Sequence, residues 1–265
     1  MSETAAASGQ QPLVFSIVTC CWNSEPFIRQ SIESVLMQDY PHIEYIFVDG
    51  GSTDGTLERI RAIPRPVRLF TDVGGGISRA MNHGIEVATG DVVAHLHADD
   101  YYAAPDAIRT VARAFESTGA RWIFGKNLRD KQGRPEPETW EPPHYSYRRL
   151  MKGNFIPHES TFVRRELLLE AGPFSAHWKY GMDYDMWLRL GRMAEPVQLD
   201  LDIGVFREHD KSLSSSNAMA GFEEDLQIRL AHVGPSPLAR LYHYAHYQVR
   251  RRRRRRAMLA SEGSA

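Results

Sequence analysis

Two carboxylates, Asp99 and Asp100, stand side by side after the apolar run "DVVAHLHA", and nothing basic follows them for several residues. Adjacent like charges repel, so a chain that keeps both at the mouth of a core strand has a use for them. Polar clusters end two other apolar runs as well: Thr19 to Asn23 closes "LVFSIV", and Asp49 closes "IEYIFV". Ligands of open parallel sheets bind beyond the carboxyl ends of the strands, so the three clusters are expected along one sheet edge. No cluster contains the glycine-lysine loop or GxGxxG turn that cradles phosphate directly. Acids on an edge where phosphates bind imply a divalent cation between the two. Mg²⁺ or Mn²⁺ suits that place, because such ions take oxygen ligands and often only one or two carboxylates plus substrate phosphate. The plainer reading makes the acid pair a helix cap and Asp49 a turn former ahead of two glycines.

The elements that must hold these groups follow from periodicity. "LVFSIVTC", "IEYIFVD", "VRLF", "DVVAHLHA" and "ARWIFG" read as buried strands. Between them, "PFIRQSIESVLMQ", "STDGTLERIRAI", "GISRAMNHGIEVA" and "AAPDAIRTVARAFESTG" read as helices, the last with Pro105 in its first turn. That alternation predicts an α/β fold with a mostly parallel sheet covered by helices on both faces. Regularity fades after Gly125, and "KQGRPEPETWEPP" reads as a Pro-rich loop or a short excursion. Beyond it come a strand and helix in "STFVRRELLLEAG", a helix in "YDMWLRLGRM", a strand in "IGVFREH" and two closing helices. The expected organisation is a disordered lead (1–11), a ligand-binding half (12–125), a smaller second half (126–234) and a basic tail (235–265).

At 265 residues with 42% hydrophobic and 10% aromatic content, the chain has enough apolar material for a sizeable core. Its two cysteines, Cys20 and Cys21, are neighbours without metal-site spacing, which points to a reducing compartment. No apolar stretch follows a basic N-terminus, and none reaches the roughly 20 residues of a membrane span. A soluble or peripheral protein is therefore expected. The net charge of −1 hides an asymmetry: of 32 basic residues set against 33 acidic ones, seven are the consecutive arginines Arg250 to Arg256. An acidic body with one basic block suits an anionic surface.

The segments "SIVTCCWNSEPFIRQSIESVLMQDYPHIEYIFVDGGSTDGT" and "GGGISRAMNHGIEVATGDVVAHLHADD" closely resemble the opening of the family 2 glycosyltransferases of the GT-A fold. "HESTFVRRELLLEAGPF" and "GMDYDMWLRL" are similar to the family's acceptor-side segments. The resemblance implies transfer of a sugar, with inversion, from a nucleotide diphosphate sugar (UDP-linked in expectation) to an acceptor hydroxyl. Polysaccharide or glycolipid biosynthesis on the cytoplasmic face of a membrane is the implied setting, with a glycan or lipid-linked acceptor.

Residue by residue, the resemblance assigns Asp49 to the nucleotide base, Trp22 and Asn23 to base and ribose, and Asp99 to ribose or sugar. Thr19 and Asn82 fall in donor-side segments. Asp100 becomes a metal ligand, with His209 of "REHDKSLS" near the diphosphate and metal. Asp183 takes the place of the general base, the carboxylate that removes the acceptor proton, while Asp185 has helix capping as its plainer role. His158 and Glu159 lie where donor sugar and acceptor meet. The chain departs from the family in "HADD", which lacks the first acid of a D-x-D pattern, in Met182 where Glu often precedes the base, and in Arg79 where an acid is frequent. The rivals are a catalytically inactive sugar-nucleotide-binding module and a nucleotidyltransferase, though the latter would want a basic Gly-rich loop where "CCWNSEP" stands.

The tail carries Leu238, Leu241, Tyr242, Ala245 and Val249 near one helix face ahead of the arginines. A peripheral helix on anionic lipid is expected, each basic residue contributing roughly 1 kcal/mol. None of these arginines is expected in the site, and no nucleic-acid partner is expected.

Overall fold

A computed structural model describes residues 11–209 and 217–262. Of the expected lead, only Gln11 lies within them. Among the described residues, nine strands form one sheet in the order β3-β2-β1-β4-β8-β6-β9-β5, with β7 paired to β6. Four of them come from the periodic first half: β1 (Phe15–Cys21), β2 (Ile43–Asp49), β3 (Arg68–Phe70) and β4 (Val92–His95). They are mutually parallel, and β1 is buried along its whole length. A strand covered on both faces has no solvent side to make polar, which is why "FSIVTCC" shows no alternation.

Helices α1 (Glu25–Leu36), α2 (Thr56–Arg61) and α4 (Ala107–Thr118) cover one face. There Ile28, Val35 and Phe115 meet Phe15, Ile17 and Phe47. The other face takes α3 (Ile77–Val87), α6 (Arg165–Ala171) and α7 (Met182–Met193). Met81, Leu167 and Trp187 pack there on Val18, Ile46 and Trp122. At roughly 25 cal/mol per Å² of apolar surface buried, these two layers drive the fold, and the sheet edge is where they leave polar groups.

Beyond β4 the order changes. β8 (Thr161–Arg164) pairs antiparallel with both β4 and β6 (Trp122–Lys131), and β9 (Val197–Glu208) runs parallel to β6. The two-residue β5 (Tyr101–Tyr102), which sequence patterning does not reveal, pairs antiparallel with β9. Of the two readings of the Pro-rich segment, its first part is the short excursion, a hairpin. β6 runs on through Gly125 and turns back into β7 (Arg134–Pro137). Gln132 and Gly133 both take positive φ, 59° and 81°, as a two-residue hairpin turn requires. Pro135 and Pro137 fit because β7 pairs only with β6 and is an edge strand. Pro105 lies one residue before the N-cap of α4, Asp106, and not within its first turn.

The short α5 (Tyr147–Leu150) leads into the chain segment that faces the sheet edge. Two closing helices, α8 (Ala218–Val233) and α9 (Pro237–Glu262), pack together through Phe222, Leu226 and Tyr247. The arginine run continues α9 and is helical. No helix among the described residues is long and apolar enough to cross a membrane.

Candidate active site

The carboxyl ends of β1, β4 and β9 open onto a cleft of about 1400 Å³. One wall starts with Trp22 and Asn23, just past β1. Trp22 is 68% exposed, an unusual fate for Trp unless something covers it. Asn23 sits in the left-handed region at φ 50°, which Asn tolerates better than most residues. Its Oδ1 accepts from the Thr53 amide at 2.9 Å and its own amide donates to Ser52 Oγ at 2.8 Å, so the turn holds the residue there.

The acid pair lies on the cleft wall with Glu159. Asp100 is 2% exposed, and Oδ1 accepts from the Arg207 amide at 3.0 Å. Burial, with the Asp99 and Glu159 carboxylates beside it, pushes the Asp100 carboxyl well above the usual range. Asp99 behaves oppositely. Burial alone would raise it, but the hydrogen bond with His209 and the nearness of His97 outweigh that and hold it low. His209 Nε2 lies 3.0 Å from Asp99 Oδ2, and its ring stacks on Phe27 at 4.3 Å. β9 delivers this histidine to the acid pair, since its last residue is Glu208. Glu159 accepts from Asn127 Nδ2 at 2.6 Å.

Among the described residues, no three His, Cys, Asp or Glu side chains converge as a ready-made metal cage. The donor set nonetheless fits a divalent cation. Two adjacent carboxylates at the strand end are short of positive charge, and a Mg²⁺- or Mn²⁺-type ion needs few protein oxygens when phosphate and water supply the rest.

Asp183 stands in the first turn of α7, across the cleft. Oδ2 accepts from Asn154 Nδ2 at 3.1 Å, and Oδ1 from the Tyr184 amide at 2.6 Å. Burial pushes its carboxyl up to about 7; Asp225 and Glu159 add to the rise, while the Tyr184 and Asn154 bonds oppose it. A carboxyl poised near neutrality inside a cleft is suited to accepting a proton. Asp185, two residues on, faces away from this work. It pairs with Arg189 at 3.0 Å and His232 at 2.9 Å, pinning α8 to α7.

Between the two ends lie three histidines that patterning alone left unremarked as a group. His158 stacks on His97 with centroids 4.9 Å apart and lies 5.5 Å from His95. Burial and the neighbouring imidazoles drive His158 well below its ordinary range, and burial takes His95 down to about 3. His158, which lines the cleft, and its buried neighbour His95 are therefore uncharged near neutral pH. His97 Nδ1 and His158 Nε2 are buried without a hydrogen-bond partner among the described residues.

Three expected site residues are not on the cleft wall. Thr19 is fully buried in β1, its hydroxyl 3.3 Å from the Tyr45 hydroxyl. Asp49 is fully buried and serves its own turn, accepting from the Gly51 and Ser52 amides at 2.8 and 2.9 Å and from the Ser52 hydroxyl. Asn82 clamps the Phe174 backbone, donating to its carbonyl at 2.9 Å and accepting from its amide at 2.7 Å. Each of these side chains spends its polar atoms inside the fold.

The structure adds wall residues that the sequence reading passed over. Trp140, 53% exposed, and Glu138 come from the chain that follows the β6–β7 hairpin. The signal was the Gln-Gly turn inside "RDKQGRPEP", hidden by its prolines. The expectation that no tail arginine enters the site is corrected, because Arg250 and Arg254 line the cleft. One helical turn separates them, so α9 presents both on the same side.

Comparison with known proteins agrees with this geometry. The model of "Glycosyl transferase family 2" matches residues 16–167, more than half the chain. A PGL/p-HBAD biosynthesis glycosyltransferase of Mycobacterium bovis is 31% identical over 182 residues, 66% of this chain and 69% of the relative. TarS (1–349) of S. aureus in complex with UDP-GlcNAc superimposes with a TM-score of 0.69 at 19% identity, covering 89% of this chain and 70% of TarS. A mannosyltransferase of Pyrobaculum calidifontis in complex with GDP-Man and Mn²⁺ gives 0.68 at 18% identity, covering 92% and 72%. With the family model spanning β1 through β8 and the same mixed sheet in its structural neighbours, the chain belongs to glycosyltransferase family 2 and has the GT-A fold.

Proposed function

We propose that this glycosyltransferase is inverting and metal-dependent, and that it moves a sugar from a nucleotide diphosphate sugar, UDP-linked, to an acceptor hydroxyl. The observation that carries the reading is Asp183: a cleft-wall carboxyl lifted to about 7 and oriented by Asn154. Inversion needs one base on the face of the sugar opposite the leaving group, and a carboxylate of that basicity can take the acceptor proton as its oxygen attacks. Trp22 and Asn23 would receive the nucleotide. Asp99 would meet ribose or sugar, and His158 and Glu159 the region between sugar and acceptor. Asp100 and His209 would hold the cation, with Asp99 keeping His209 in place. When bound, the cation supplies neutralisation of the charge that builds on the leaving diphosphate. The mannosyltransferase neighbour with GDP-Man and Mn²⁺ supports that assignment.

Residues 12–125 would then be the donor half and 126–234 the acceptor half, sharing one sheet. The outward face of α9 would rest on an anionic membrane surface, which fits a lipid-linked or membrane-bound glycan acceptor and a place on the cytoplasmic side.

The test is Asp183→Asn. The amide keeps the shape but cannot take the proton, so transfer should fall about 10²-fold or more. Nucleotide affinity, measured by calorimetry with Mn²⁺, should stay within about twofold. Wild-type turnover in this variant would remove Asp183 from the reaction and shift attention to Glu159. Absence of both transfer and donor hydrolysis in the wild-type chain across a panel of nucleotide sugars would favour a binding module instead.

A further inference from the structure

Helix α9 divides the arginine run between two directions. At 3.6 residues per turn, Arg252, Arg253 and Arg256 continue the face of Leu238, Leu241, Tyr242 and Val249, and all of these are exposed. Arg250 and Arg254 fall on the other side, with the buried His243 and Tyr247. There Arg250 Nη1 donates to the Lys152 carbonyl at 2.7 Å. A Cβ on Gly153 would strike that guanidinium, so glycine permits the approach. Both guanidinium groups lie over the Phe222 ring, at 5.4 Å for Arg250 and 4.4 Å for Arg254.

We infer that Arg250 and Arg254 form an anion site on the acceptor side of the cleft, and that the acceptor carries a phosphate or carboxylate near the hydroxyl to be glycosylated. This rests on the transferase reading given above. Position is the first argument. Lys152 and Gly153, which receive Arg250, directly precede Asn154, and Asn154 holds the base Asp183. The arginines therefore adjoin the base, whereas the acid pair and His209 mark the donor side.

Charge is the second argument. Two like charges one turn apart repel, yet α9 keeps both over one ring. Arg254 has no hydrogen-bond or ion-pair partner among the described residues. Asp225 interacts with both, but burial lifts its carboxyl to about 6 in spite of them and it also serves Arg229, so one acid is shared among three guanidinium groups. Guanidinium forks match phosphate and carboxylate oxygens in bidentate geometry. An anionic acceptor group supplies the missing counter-charge and brings its hydroxyl to Asp183.

The experiment titrates the protein, with and without saturating UDP and Mn²⁺, with three soluble probes: glucose 1-phosphate, glucuronic acid and glucose. At least one anionic probe should bind about tenfold more tightly than glucose, as one charge-assisted contact allows; which one does so separates a phosphate from a carboxylate acceptor. Arg254→Gln, at an exposed helical position, should erase that preference while UDP affinity stays unchanged. Arg254→Lys should keep part of it. Arg252→Gln removes the same charge from the outward face and should leave the preference whole, which separates a site from general electrostatics. Equal binding of all three probes by the wild type, or a preference that survives Arg254→Gln, overturns the inference. If UDP fails to bind while the anion preference persists, the donor reading falls and the anion site stands.

Discussion

Asn154 donates its side-chain amide to Asp183 Oδ2 at 3.1 Å, and this bond helps set where that carboxyl titrates. Burial lifts the Asp183 carboxyl to about 7, and the Asn154 bond opposes that rise by favouring the charged form. Only the carboxylate accepts a proton, so kcat/KM should climb about tenfold per pH unit below roughly 7 and level off above it. Asn154→Ala removes a bond to the charged form and should move the inflection to higher pH. A rate profile that stays in place, or moves down, would mean that another group titrates.

The same burial makes the site unstable in its working state. An acid whose folded pKa lies above its unfolded value holds its proton more tightly in the folded chain, so stability falls as pH rises between the two. For Asp183 that window runs from 3.8 to about 7, and for Asp225 from 3.8 to about 6. Asp183→Asn should therefore be more stable than the parent at pH 8 although inactive. If about 1 kcal/mol of the relief survives, the melting midpoint rises by roughly 2–4 °C. Equal midpoints at pH 4 and a gap that opens toward pH 8 are the expected pattern in a thermal scan.

What sequence could and could not reveal follows from range. β1, β2 and β4 announce themselves because burial on both faces forces continuous apolar runs, and their polar ends then locate the sheet edge. Asp183 and the acid pair were visible through local motifs. Asn154, by contrast, matters only because it meets Asp183 across 29 positions, and Arg250 only because it meets Lys152 across 98. No spacing rule reaches that far. Asn82 and Asp49 show the converse: residues of a recognised segment that also hydrogen-bond the backbone of their own fold, which no motif reveals. The arginine run looked uniform because a string of identical letters hides the helical phase that splits it.

Removal of the divalent ion should separate binding from chemistry at the acid pair. Excess EDTA is expected to abolish transfer, and Mn²⁺ should raise the melting midpoint only when nucleotide is present, since few protein oxygens are available to hold the ion alone. Asp100→Ala should lose that rise yet fold normally, because it removes a carboxyl whose burial disfavours its charge. Full transfer in EDTA would sink the metal assignment.

Asp185 offers a contrast two residues from Asp183. Burial would raise its carboxyl, but the His232 bond and Arg189 hold it below the ordinary value. Its contribution to stability is thus present above pH 3.8 and lost as pH falls through the lower folded value. Asp185→Ala strands the His232 ring and leaves Arg189 only its carbonyl acceptors at Ala171, Gly172 and Pro173, and should destabilise the fold by about 1–3 kcal/mol. Urea unfolding would read that loss, while the pH inflection of any remaining activity should stay where Asp183 puts it.

The split of the arginine run changes how a membrane contact must be tested. Cutting the chain before Arg250 would remove the cleft-lining Arg250 and Arg254 together with the outward arginines, so a loss of activity could not be assigned to either. Changing Arg252, Arg253 and Arg256 to Ser removes three exposed charges and leaves the Phe222 stack and the Lys152 contact intact. At roughly 1 kcal/mol for each basic residue near an anionic surface, that triple change should weaken sedimentation with phosphatidylserine vesicles by about 10²-fold. Salt should weaken wild-type binding too, because exposed charges are screened over about 8–10 Å at physiological ionic strength. Transfer to a water-soluble acceptor should be unaffected, while transfer to an acceptor embedded in the vesicle should fall. If vesicle binding survives the triple change, the outward face of α9 is not a membrane contact, and its exposed Leu238 and Leu241 need another partner.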